Sequence, residues 1–96
     1  MTKISGLISI ARKAGYVVIG QDNLSAHKQK LYLLLMCKSA GNSLVREMRH
    51  ISNERQIPLL EVEELGKLLG IDNCKALGVK NKAFSDNIIK IIKEGE

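Results

Sequence analysis

Four consecutive residues, Gly20-Gln21-Asp22-Asn23, carry the most suggestive chemistry in this 96-residue chain. They lie between a short β-branched run, Tyr16-Val17-Val18-Ile19, and a brief helical segment, and they follow the basic pair Arg12-Lys13. Glycine lets a ligand approach the backbone closely, and the free N–H groups at the start of the next helix suit a phosphate. The amides of Gln21 and Asn23 and the carboxylate of Asp22 match the edges of nucleic-acid bases. Asp22 can only accept hydrogen bonds at neutral pH, which suits the N1–H and N2–H donors of guanine. Aspartate is also a preferred helix cap, and on local signal alone the cap is the stronger reading.

Catalysis has no comparable support. The chain contains no GxSxG elbow, no Walker lysine loop and no GxGxxG fingerprint. His27 and His50 fall on expected helix surfaces with no orienting partner nearby in sequence, so each reads as a solvated histidine. Glu61, Glu63 and Glu64 sit at an expected helix start, where the positive end of the helix dipole accounts for them. Cys37 and Cys74 are far apart, with neither a CxxC spacing nor a histidine at metal-ligand distance, and read as reduced, packed thiols. The expectation is a non-enzymatic protein with no cofactor and no metal.

The distribution of charge points towards a polyanion. Net charge is +5, from 15 basic and 10 acidic side chains. Residues 1–38 hold six basic groups (Lys3, Arg12, Lys13, Lys28, Lys30, Lys38) against Asp22 alone, whereas residues 39–96 balance to zero. The whole excess therefore lies in the first two fifths of the chain, as expected if one side attracts nucleic acid. Lys13, Lys28 and Lys38 are the expected phosphate contacts.

The elements that position these groups follow from periodicity. One domain spans 1–96, with 45% hydrophobic residues, one proline and three aromatics, so its core is built from Leu, Ile, Val and Ala. Ile4, Leu7, Ile8 and Ala11 trace one face of a helix, with Thr2 as its cap and Gly15 as its stop. Tyr16–Ile19 reads as a strand, then comes a brief helix capped by Asp22. Lys30 opens the apolar run Leu31–Cys37, a strand of the kind buried on both faces at the centre of a sheet. Leu44, Met48, Ile51 and Arg55 trace the next helix, which Pro58 ends. Leu59–Val62 is a strand, Glu63–Leu69 a short helix stopped by Gly70, residues 71–75 a loop, and Ala76–Val79 a strand. Phe84, Ile88, Ile91 and Ile92 form the face of a final helix. This α-β-α-β-α-β-α-β-α order argues for a four-stranded sheet between helix layers.

No apolar run approaches the roughly 18 residues of a membrane span. The first residues enter a pattern already carrying Arg12 and Lys13, unlike a signal peptide, so the expected location is cytoplasmic.

In order and spacing the chain resembles the kink-turn-binding ribosomal proteins of the L-seven-Ae and L-thirty-e type, and their small bacterial relatives above all. The resemblance covers nearly the whole chain: Gly6-Leu7-Ile8-Ser9-Ile10-Ala11-Arg12-Lys13-Ala14-Gly15, then Gly20-Gln21-Asp22-Asn23, then Lys30 to Cys37. It continues through Leu65-Gly66-Lys67-Leu68-Leu69-Gly70, Ala76-Leu77-Gly78-Val79 and Lys82-Ala83-Phe84-Ser85.

The resemblance implies a three-layer α/β/α sandwich with a mixed sheet, and a monomer that binds structured RNA, ribosomal RNA above all, alongside other translation proteins. In such proteins a glycine-initiated strand-to-helix segment reads the sheared G·A pairs of a sharply bent RNA. By position this falls on Gly20, Gln21, Asp22 and Asn23. A second, more apolar loop packs against flipped-out nucleotides, and falls on Gly70, Ile71, Asp72, Asn73 and Cys74. Lys13 is expected to face the RNA backbone beside the first element, and Lys38 to border the same end of the sheet. The chain departs from the pattern in having Ala26 where many members carry lysine, and a stretch from Gly20 to Lys30 about four residues short. Those departures motivate the alternative, a protein-interaction adaptor on the same fold.

Overall fold

The computed structural model describes residues 2–63, 65 and 74–94. Helix α1 (Thr2–Lys13) buries Ile8 and Ala11 completely and half-buries Leu7. Thr2 is its first helical residue rather than its cap. Its C-terminus is the one the sequence suggests. Gly15 takes φ 82°, its N–H donates to Arg12 O (3.1 Å), and Tyr16 N–H donates to Ala11 O (2.8 Å), the paired bonds of a Schellman motif.

Strand β1 (Val17–Ile19) leads into helix α2 (Gln21–Ala26), strand β2 (Leu33–Cys37), helix α3 (Asn42–Arg55), strand β3 (Leu59–Val62), strand β4 (Ala76–Val79) and helix α4 (Lys82–Lys93). The short helix expected over Glu63–Leu69 lies mostly outside the described residues; Leu65 is described and is fully buried. β2 begins at Leu33 instead of Lys30, and β1 at Val17 instead of Tyr16. Both limits share one cause. Leu33 and Val17 each pair with Val79, the last residue of β4, and the chain then turns into α4 through the cap residue Asn81, whose Oδ1 accepts from Phe84 N–H at 3.0 Å. Past these pairs only single bonds continue, Lys80 N–H to Tyr16 O (2.7 Å) and Tyr32 N–H to Val79 O (2.8 Å).

The sheet order is β1-β4-β2-β3. β4 runs antiparallel to both β1 and β2, while β2 and β3 are parallel, so the sheet is mixed. Every residue of the two central strands is buried, as the unalternating run Leu33–Cys37 requires. Alternation sorts the side chains to two cores. Leu33, Leu35, Cys37, Leu77 and Val79 pack on the face with Ile8 of α1 and Ile88 of α4. Leu34, Met36 and Ala76 pack on the opposite face with Leu24 of α2 and with Met48 and Ile51 of α3. Among the described residues two helices thus cover each face, and the architecture is a three-layer α/β/α sandwich. No helix among the described residues is long and apolar enough to cross a membrane.

Candidate nucleic-acid interface

Strand direction decides which loops meet. Ile19 pairs with Leu77 and Met36 with Ala76, so the exits of β1 and β2 lie beside the entry of β4. Gly20 N–H donates to Ala76 O (3.1 Å), Cys37 N–H to Lys75 O (2.9 Å) and Lys38 N–H to Val62 O (3.0 Å). Gly20, Lys38 and Lys75 therefore stand along one end of the sheet. Lys75 Nζ donates to Ser39 Oγ at 3.0 Å. Lys38 Nζ lies 3.6 Å from Glu63 Oε1, and both side chains are exposed.

The turn into α2 depends on glycine. Gly20 adopts φ 96° and ψ 143°, a region that L side chains enter only under strain of about 1–3 kcal/mol. Gly20 is also the helix cap, with no side-chain cap bond, and Asp22 is an exposed residue of the first turn. The expectation that Asp22 caps the helix is thus corrected: the helix starts two residues earlier than that cap implies, at Gln21, so Asp22 is already inside it. Its carboxylate is left for solvent or a ligand.

Gln21 and Asn23 are half committed to the protein. Gln21 Nε2 donates to Glu47 Oε2 (2.7 Å) and Asn23 Nδ2 donates to Ile19 O (2.7 Å). Both partners are pure acceptors, which fixes each amide nitrogen inward. What the turn offers outward is acceptors: the Asp22 carboxylate and the amide oxygens of Gln21 and Asn23, which take no hydrogen bond among the described residues. Glu47, on α3, also accepts from Ser25 Oγ at 2.5 Å. The hydrogen bonds from Ser25 and then Gln21 hold its carboxyl below the usual carboxylate range. Glu47 escaped the sequence analysis because helical periodicity gives the face of α3 but not the element packed beside it. Lys75 escaped it because it ends a loop whose neighbours only the strand order supplies.

Of the remaining expected site residues, Gly70, Ile71, Asp72 and Asn73 lie outside the described residues. Cys74 is 7% exposed and packs in the core. Its thiol is pushed up by burial and points to Ala76 O (3.7 Å), so it is a core group and not part of a loop surface. At Cys37, burial pushes the thiol up, but hydrogen bonds from the hydroxyl and backbone of Ser39 and the backbone of Leu65, with the Lys75 charge, bring it below its ordinary value.

Lys13 and Lys28 are not at the Gly20 end. Lys13 ends α1 just before Tyr16, whose carbonyl accepts from Lys80 N–H (2.7 Å) at the far end of β1. Lys28 precedes β2, whose first residue Leu33 pairs with Val79. The strands carry the chain from one end of the sheet to the other between these lysines and Gly20 or Lys38. Among the described residues no cluster of three His, Cys, Asp or Glu could hold a metal.

A known RNA binding protein shares this fold. By sequence, no family model and no curated protein matches the chain. By structure, the chain is similar to the Giardia lamblia 15.5kD RNA binding protein, with a TM-score of 0.70 over 97% of this chain and 84% of that one at 12% identity. It is also similar to a protein with unknown function from Bacillus halodurans C, with a TM-score of 0.84 over 97% of this chain and 99% of that one at 21% identity. At these identities the likeness is one of fold.

Proposed function

We propose that this chain is a non-enzymatic RNA-binding protein that recognises a bent or internal-loop RNA of the kink-turn class, in association with the ribosome. The observation that carries the reading is the end of the sheet where the Gly20 turn exposes three acceptors beside Lys38 and Lys75. The fold shared with an RNA binding protein supports it. Acceptors alone bind nucleic acid poorly, because phosphates are acceptors too. They suit base edges rich in N–H donors, such as the guanine edge exposed when a helix is distorted. The two lysines supply phosphate attraction, and Asp22, Gln21 and Asn23 supply selectivity.

The test is a titration of a kinked internal-loop RNA and a straight duplex at two salt concentrations. Asp22→Ala weakens the kinked RNA by about tenfold, by analogy with a good base contact, and spares the duplex. Lys38→Ala with Lys75→Ala weakens both and makes the salt dependence shallower by about two phosphates. Salt-insensitive behaviour of the wild-type chain at micromolar concentration, with no complex on either RNA, refutes the reading and favours the adaptor.

A further inference from the structure

The chain leaves α2 through His27, Lys28, Gln29 and Lys30 before it enters β2, and leaves α3 through Arg55 and Gln56 before it enters β3. Because β2 and β3 are parallel, these two approaches meet at one end of the sheet, the end opposite Gly20. There His27, Lys28, Lys30, Arg55 and Gln56 border an open groove of about 560 Å3. Its lining includes three permanent cations and no carboxylate. A larger recess between α2 and α3 has Glu47 and Glu54 among its lining residues and offers no field of one sign.

Two of the groove's three cations are held in place. Lys30 Nζ stands 5.3 Å from the centre of the Tyr32 ring, a cation–π contact that limits its wandering. Arg55 Nη2 donates to Ser25 O at 3.2 Å, which uses one of five guanidinium donors. Gln56 takes the left-handed φ of 54° at the end of α3, a position that glycine fills by default, and it carries a side chain to the groove instead. His27 Nε2 is buried with no hydrogen-bond partner among the described residues.

The chemistry of the occupant follows from what the groove lacks. Both α2 and α3 reach this end by their C-termini, whose carbonyls repel anions. The groove's positive charge is carried by long, exposed side chains, those of Lys28, Lys30 and Arg55, strung along its lining. That arrangement suits phosphates spaced along a polymer. We infer that this groove is a second RNA surface, gripping the sugar–phosphate backbone of a paired stem while the Gly20 end reads unpaired bases. The inference rests on the RNA-binding reading above and extends it to the other end of the sheet.

The experiment is a cycle of four full-length chains: wild type, Lys28→Ala/Lys30→Ala, Lys38→Ala/Lys75→Ala, and all four substitutions together. Each is titrated with a kinked internal-loop RNA whose arms are long paired stems, at about 50 and about 200 mM salt, with thermal melts as a folding control. The groove variant loses affinity, and its deficit is about tenfold larger at the lower salt, as two lost phosphate contacts require. The two pairs of substitutions add in log Kd, because they lie at opposite ends of the sheet. If wild type binds the RNA while the groove variant matches it in affinity and salt slope, the inference is overturned and the RNA-binding reading stands. If wild type binds no RNA, both fall. Binding of a poly-glutamate peptide that Lys28→Ala/Lys30→Ala abolishes, with RNA affinity unchanged, also overturns the inference and assigns the groove to an acidic protein.

Discussion

Gly78 tests the packing that holds the candidate site in place. It lies in β4 between Val18 of β1 and Leu34 of β2. A Cβ added there would stand 2.5 Å from Leu24 Cδ2, 3.3 Å from Leu31 Cδ2 and 3.5 Å from Leu31 Cδ1. Carbon atoms in contact sit about 3.5–4.0 Å apart, so Leu24 must retreat by about 1 Å. It has little room to do so, since Leu24 is 0% and Leu31 2% exposed. Overpacking of this kind costs about 1–3 kcal/mol, and restricting the unfolded chain returns about 0.4–1. Gly78→Ala is therefore expected to destabilise the fold by about 1–2 kcal/mol, which at this size lowers Tm by roughly 4–16 °C.

A double-mutant cycle isolates the cause. Leu24→Ala alone costs about 2–5 kcal/mol by leaving a cavity, but it removes the atom that Gly78→Ala would strike. In that background the second substitution is expected to be nearly neutral, giving a coupling of about 1–2 kcal/mol. Urea unfolding of the four chains measures it. A Gly78→Ala chain as stable as wild type, or strict additivity with Leu24→Ala, would show that α2 does not lean on β4 as described. Because Leu24 sits one turn after Gly20, the same variant should speed hydrogen exchange in α2 more than in α3.

Two further outcomes follow from single contacts. Glu47 is held below the ordinary carboxylate range by Ser25 and Gln21, so its tie to α2 is complete at neutral pH and is lost only as pH falls through that depressed value. The Gln21 side-chain amide resonances should report the transition, and a Glu47→Gln chain that still shows it would disprove the assignment. Asn81→Ala removes the cap on Phe84 N–H and should cost about 1 kcal/mol, while Asn81→Asp should restore most of the loss in a thermal melt.

The elements were legible because each has a local signature. The bounds of β3 and β4 match the sequence reading residue for residue, and Gly15 stops α1 as its position suggests. The unalternating run before Cys37 announced a strand buried on both faces, and β2 is one. Strand edges were less legible. Whether Lys30–Tyr32 and Tyr16 join the sheet depends on where β4 stops, a fact about another part of the chain.

At the site, the sequence by itself determined the residues with suitable chemistry and the concentration of positive charge in residues 1–38. It named Lys13, Lys28 and Lys38 as phosphate contacts, and the family resemblance put Lys13 and Lys38 at the Gly20 end. Tertiary structure alone decided their places. Each strand reverses or preserves the direction of the chain, so Lys38 joins Gly20 and Lys75 at one end while Lys13 and Lys28 go to the other. Periodicity tells a residue which face of its own element it occupies. Which loops become neighbours is settled by hydrogen-bonded register between segments tens of residues apart, and no local pattern encodes it.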